Sequence, residues 1–115
     1  MANVRDLTVG DTVKRIVGRI PTGRVSTYGT VARVAVSIHR PIGGARTVAW
    51  ILASLGDKDR TPWHRVVGAG GKILLPDVRG ARQASRLRAE GVRCSHGSIA
   101  QQAIIDEAAL ALRLR

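Results

Sequence analysis

Few residues in this chain are equipped for covalent chemistry. Cys94 is the single cysteine among the 115 residues, so no internal disulfide and no cysteine-based metal cluster can form. It could act as a nucleophile only as its thiolate, and the one base near it in sequence is His96. His39, His64 and His96 stand apart without the spacing of a ligand set, so neither a metal nor a cofactor is expected. Residues 62–66 read Pro62-Trp63-His64-Arg65-Val66, which sets an indole beside an imidazole and a guanidinium. Tyr28 is the one tyrosine; a lone tyrosine is most often a half-buried helix residue.

Periodicity supplies the elements that must hold these groups. Val9, Val13, Ile16, Val17 and Ile20 recur at helical spacing, with Thr8 as N-cap and Pro21 as the stop. Pro21-Thr22-Gly23 is a turn. A second helix is expected to begin after Ser26 or Thr27 and run through Tyr28 to about Val36. Residues 37–44 form a loop. Ala45 to Leu55 is helical, with Val48, Ile51, Leu52 and Leu55 on one face and Gly56 as C-cap. The second and third helices suggest a helix-turn-helix whose recognition helix is 45–55. Asp57-Lys58-Asp59-Arg60 is a charged loop. Val66-Val67, the glycine-rich 68–71 and Lys72–Leu75 suggest a short hairpin, a small wing. Asp77 is expected to cap a helix from Val78 to Glu90, ended by Gly91. That helix carries Arg79, Arg82, Arg86 and Arg88, read as a solvated face. Residues 98–115 are expected to form a final helix, with Ile104, Ala108 and Ala111 at helical spacing, packed on the domain 1–97. No repeat or linker divides the chain. The fold class is therefore mainly α with a short β-hairpin, of winged-helix or helix-turn-helix type.

The bulk numbers narrow the partner. The formal net charge is +11, from 19 basic and 8 acidic residues, and 16 of the basic residues are arginine. Guanidinium groups contact phosphate with several donors and stack on bases. A nucleic acid is favoured over an anionic membrane. No stretch is long and apolar enough to span a bilayer, and Met1–Asp6 lacks the apolar run of a signal peptide. The default expectation is a monomer in the cytoplasm, associated with the nucleoid when bound to DNA.

Pro62-Trp63-His64-Arg65-Val66 resembles Pro-Cys-His-Arg-Val, the active-site motif of the O6-alkylguanine-DNA alkyltransferases. Three further segments match in order: Ile20 to Gly29, Ala45-Arg46-Thr47-Val48, and Ala89-Glu90-Gly91-Val92. The similarity covers roughly residues 8–93. In that family the cysteine accepts the alkyl group; here its place holds Trp63. An indole has no lone pair suited to in-line attack on an alkyl carbon. The resemblance is thus to the alkyltransferase-like proteins, which keep the pocket without the transfer.

The resemblance implies roles at specific positions. Arg46 would fill the gap left by a flipped nucleotide, beside Ala45 and Thr47 at the start of a recognition helix in the minor groove. Tyr28, preceded by Thr27, would crowd the 3′ phosphate and help rotate the nucleotide outward. Tyr28, Trp63, Val66 and Val67 would form the lesion pocket. His64 and Glu90 match the pair that activates the cysteine, and with Arg65 they would remain as structure. The chain departs from the pattern at Ala49-Trp50, where glycine is common, at Arg60-Thr61 and at Leu74-Leu75-Pro76. The expected function is a non-enzymatic sensor of O6-alkylguanine in double-stranded DNA that hands the lesion to nucleotide excision repair proteins. Two alternatives remain open: a general basic helix-turn-helix module without lesion preference, and an enzyme with Cys94 as a displaced acceptor.

Overall fold

The computed structural model describes residues 8–38, 41–56 and 58–115. Expectations placed on Met1–Asp6, His39, Arg40 and Asp57 lie outside the described residues. Five helices and two small strand pairs follow in order. They are α1 Val9–Val17, β1 Ser26–Thr27, α2 Tyr28–Ser37, α3 Ala45–Ala53, β2 Val66–Val67, α4 Asp77–Ala89, β3 Cys94–Ser95, β4 Ser98–Ile99 and α5 Glu107–Leu112.

Local chemistry sets the helix ends. The Thr8 hydroxyl accepts the Asp11 amide at 3.0 Å while the Asp11 carboxylate accepts the Thr8 amide at 3.3 Å, so two otherwise orphaned donors are satisfied. Thr27 caps α2 through its side chain. The third helix stops at Ala53, short of the expected Leu55, and its C-cap is Ser54 and not Gly56. The Ser54 hydroxyl donates to the Trp50 carbonyl at 2.8 Å, which already accepts the Ser54 amide at 3.1 Å. α4 begins after Pro76; Asp77 takes a φ of 53° and gives no side-chain cap, contrary to expectation. At the other end Gly91 has φ 89°. There the Val92 amide donates to the Leu87 carbonyl and the Gly91 amide to that of Arg88, a Schellman stop that leaves Glu90 at the C-cap.

Val66–Val67 is a strand, as the sequence pattern implied, but its partner is not the expected one. β1 pairs in parallel with β2, Ser26 opposite Val66 and Thr27 opposite Val67. The hairpin expected over 66–75 does not form. The Gly68 amide closes a tight turn onto the Lys72 carbonyl at 2.7 Å, and the chain then leaves toward the C-terminal segment. Lys72 bridges Ser98, and the Ile73 amide donates to the Gly97 carbonyl. The hairpin is instead β3–β4, with Cys94 opposite Ile99. His96 and Gly97 both have positive φ (51° and 75°), the conformation that closes two-residue hairpins.

Residues 98–115 are not one helix. The Val25 amide donates to Ala103 and the Ile105 amide to Val25, so Ile104 lies in an extended bridge against Val25. α5 begins only after Asp106, whose carboxylate accepts the Ala109 amide. Ile105, Leu110 and Leu114 enter the main core with residues of α1, α2 and α3 and with Val66. Val67, the next residue, points to a second cluster with Val25, Leu87, Val92 and Ile99, as strand alternation requires. The short β1–β2 pair is thus the seam between the two clusters. Among the described residues no helix is long and apolar enough to cross a membrane.

Candidate nucleic-acid interface

A cleft of about 470 Å³ opens between α3, the turn at 63–65 and α4. Ala49, Leu52 and Ala53 give it one wall from α3, and Arg79, Arg82 and Arg86 give it another from α4. Tyr28 and Trp63 also line it. Trp63 starts a single 3-10 turn, Trp63–Arg65, directly after Pro62. Its indole is half-buried against the main core. The Arg86 guanidinium carbon lies 5.4 Å from its ring centroid, within cation–π range. Tyr28, the first residue of α2, is 8% exposed. Burial pushes its phenol pKa up, partly opposed by the Arg79 charge.

Beneath Trp63 a polar network fixes the turn. The Glu90 carboxylate accepts from His64 Nε2 at 2.7 Å and from the Gly23 amide at 3.3 Å. It also takes a two-pronged contact from Arg65, Nε at 3.0 Å and Nη2 at 2.9 Å. Arg65 continues to the Ile20 carbonyl and the Thr22 hydroxyl, both at 2.9 Å. The turn after α1, the 63–65 turn and the end of α4 are therefore tied at one carboxylate. Burial alone would raise the Glu90 pKa, but Arg65, His64 and the Gly23 amide outweigh it and bring it down to about 2. Burial lowers the His64 pKa, against the pull of Glu90. His64 is then neutral near pH 7 and donates its Nε2 proton to Glu90.

Gln83 was not singled out from the sequence. It is 1% exposed, and its amide donates to the His64 carbonyl at 3.1 Å and the Val66 carbonyl at 2.8 Å. Its signal was positional: Gly80, Gln83 and Leu87 share the buried face of α4 at helical spacing. A Cβ at Gly80 would collide with the Leu75 carbonyl oxygen. Glycine there lets α4 approach the 72–76 segment, whose Leu75 lines the cleft.

Of the four residues expected in the pocket, the structure brings Tyr28 and Trp63 together there. Val66 and Val67 do not line it; both are fully buried, one in each core cluster. The strand's alternation spends both side chains on packing. Ala45 and Arg46 are exposed at the start of α3, behind Gly44, which offers no side-chain cap; Thr47 is half-buried. Trp50, one turn beyond Arg46, is 72% exposed. The Thr27 hydroxyl is engaged by the Thr30 amide and hydroxyl. The α4 arginines are exposed, yet Arg79, Arg82 and Arg86 turn onto the cleft, while Arg88 reaches the Cys94 carbonyl instead.

Residues 9–92 match the family described as 6-O-methylguanine DNA methyltransferase, DNA binding domain. Alkyltransferase-like protein 1 of Schizosaccharomyces pombe is 37% identical over 84 residues, 71% of this chain and 74% of that one. The chain belongs to the alkyltransferase-like proteins of this family. It is also 46% identical over 85 residues to the DNA base-flipping protein of Escherichia coli (strain K12), covering 72% of this chain. The chain spans 61% of that relative's length. The DNA base-flipping protein of Vibrio parahaemolyticus is 41% identical over 86 residues, 74% of this chain and 82% of that one. The fold is similar to the crystal structure of S. pombe Atl1 in complex with damaged DNA containing O6-carboxymethylguanine. That match has a TM-score of 0.70 at 30% identity and covers 92% of this chain and 99% of the other. The alkyltransferase-like protein thus has the mainly helical fold with a small sheet that the sequence implied.

Proposed function

We propose that this alkyltransferase-like protein is a non-enzymatic sensor of O6-alkylguanine in duplex DNA. It flips the damaged nucleotide into the cleft, holds it, and directs it to nucleotide excision repair. The observation that carries this reading is Trp63 on the cleft wall, beside Tyr28, at the position where the family's transferring members have cysteine. The indole offers a flat apolar face to a base or an alkyl group and no nucleophile. Rotating a base outward costs a few kcal/mol and less at a damaged pair. Each buried CH₂ of the alkyl group returns about 0.8 kcal/mol. Arg46, exposed at the start of α3, fills the vacated stack, and the bent duplex is the landmark that repair proteins meet. The relatives, base-flipping proteins and an Atl1 bound to damaged DNA, support the flipping and lesion-binding part of this reading.

Cys94 is a poor acceptor. It sits on β3 against the second core cluster and is not among the cleft-lining residues. Burial raises its pKa, which disfavours the thiolate. The protein acts as a monomer in the cytoplasm under this proposal.

The test is binding to matched duplexes with guanine or O6-methylguanine at one position, near physiological salt, with protein mass checked in the same samples. Preference for the lesion at unchanged mass is expected. Equal affinity would make the chain a general basic DNA-binding module, and a gain of one methyl group would make it an enzyme.

A further inference from the structure

We infer that the cleft selects O6 substituents carrying a negative charge, such as a carboxymethyl group, over neutral groups of the same size. This rests on the lesion-binding reading above and names the lesion class within it. Arg79, Arg82 and Arg86 occupy one face of α4 at helical spacing, and all three line the cleft that Trp63 and Tyr28 share. Among the described residues, Asp59 is the one acidic residue on the lining. It lies 2.7 Å from Lys14 Nζ, so that pair contributes no net charge. The lining is left with three guanidinium groups. Two are held in place: Arg79 donates to the Ala53 carbonyl at 2.9 Å across the mouth of the cleft, and Arg86 lies over the Trp63 ring. Neither contact neutralises its charge, and both lock a flexible side chain before a ligand arrives.

The opposite wall is apolar, from Ala49 and Leu52. A guanine extruded against Trp63 would meet apolar carbon on one side and guanidinium on the other. A neutral alkyl group gains only the hydrophobic side. A terminal carboxylate adds charge-assisted hydrogen bonds to a planar donor. A competing role for the same arginines is to grip the backbone phosphates beside the flipped nucleotide, which would raise affinity for every duplex alike.

Three lesions separate these possibilities: O6-carboxymethylguanine, its neutral carboxamide isostere and O6-methylguanine, each in one duplex sequence beside unmodified DNA. The wild-type protein should bind the carboxymethyl duplex about tenfold more tightly than the carboxamide, the equivalent of one charge-assisted hydrogen bond. In Arg82→Gln and Arg79→Gln that ratio should fall toward one, whatever either variant loses on all duplexes alike. Equal affinity for the two isosteres, or a ratio the variants leave unchanged, would overturn the inference. A uniform loss on all four duplexes that leaves the ratio intact would overturn it too and assign the arginines to phosphates. Failure to distinguish O6-methylguanine from guanine has its own readout, and it would bring down the sensor reading together with this one.

Discussion

Arg65 and Glu90, 25 residues apart in sequence, meet in a two-pronged pair, Nε to Oε1 at 3.0 Å and Nη2 to Oε2 at 2.9 Å. Both side chains are more than four-fifths covered. The pair therefore joins the turn that carries Trp63 to the end of α4, which carries the arginine wall. Removing one partner strands the other charge in a poorly solvated site, at a cost of about 3–5 kcal/mol. Glu90→Ala should show that loss in urea unfolding. Glu90→Gln, which keeps the shape and an acceptor, should lose less. Equal effects would mean that the carboxylate charge contributes nothing.

The same network makes stability depend on pH. Folding lowers the pKa of Glu90 to about 2 and also lowers that of His64. The unfolded chain then binds more protons at both sites, and stability rises with pH. The His64 share is complete above its ordinary value of 6.5 and erodes below it. The Glu90 share is complete above 4.5 and is lost as pH falls toward about 2. Melting temperature should decline on acidification through both windows. In Glu90→Gln the decline below pH 4.5 should shrink; an unchanged profile there would remove Glu90 as its source.

Gln83 is the only described side chain that reaches both the His64 and Val66 carbonyls. Truncation removes both hydrogen bonds, worth about 2 kcal/mol together with the lost packing. Gln83→Ala should lower stability by that order and weaken lesion binding more than binding to plain duplex, because the Trp63 turn loses its tether. Loss of stability with an unchanged lesion preference would confine Gln83 to the core.

Arg46→Ala should weaken binding to lesion duplex far more than Arg113→Ala if Arg46 fills the vacated stack. Arg113 donates to the Arg19 carbonyl at 2.9 Å, so its loss also loosens the C-terminal segment. Arg115→Ala is the cleaner control at the exposed end of the chain. Equal losses from Arg46→Ala and Arg115→Ala would reduce Arg46 to a phosphate contact.

What the sequence made legible follows from what a local pattern can encode. Thr8 as an N-cap, the starts of α2 and α3, and the motif at 62–66 are each contained in a few adjacent residues. The parallel pairing of Ser26-Thr27 with Val66-Val67 is not, because two-residue strands have no period to read. Ser95-His96-Gly97-Ser98 did carry a two-residue turn, but the flanking strands are too short to announce a hairpin. Ile104 sits at helical spacing with Ala108 and still pairs with Val25, since its tertiary backbone bonds outweigh a weak periodicity. Arg79, Arg82 and Arg86 looked like a solvated stripe because nothing in α4 itself reveals that α3 and Trp63 stand opposite.

Under the proposed sensor role, a cysteine placed at position 63 should not bring alkyl transfer with it. Trp63 packs on the main core and lies under Arg86. Trp63→Cys removes most of an indole and should cost about 2 kcal/mol, below the range of about 3–5 kcal/mol for large aromatic truncations in cores because the ring is only half-buried. The void left behind would let the turn relax away from the geometry that in-line attack requires, and reacting atoms about 1 Å out of place can lose a hundredfold in rate. His64 donates its Nε2 proton to Glu90 and keeps Nδ1 unpaired, so a base remains and lost geometry is the obstacle. Incubation of Trp63→Cys with O6-methylguanine duplex should therefore leave most of the protein at its original mass. Rapid, stoichiometric gain of a methyl group would show instead that the cleft kept its transfer geometry and that the indole alone had silenced it.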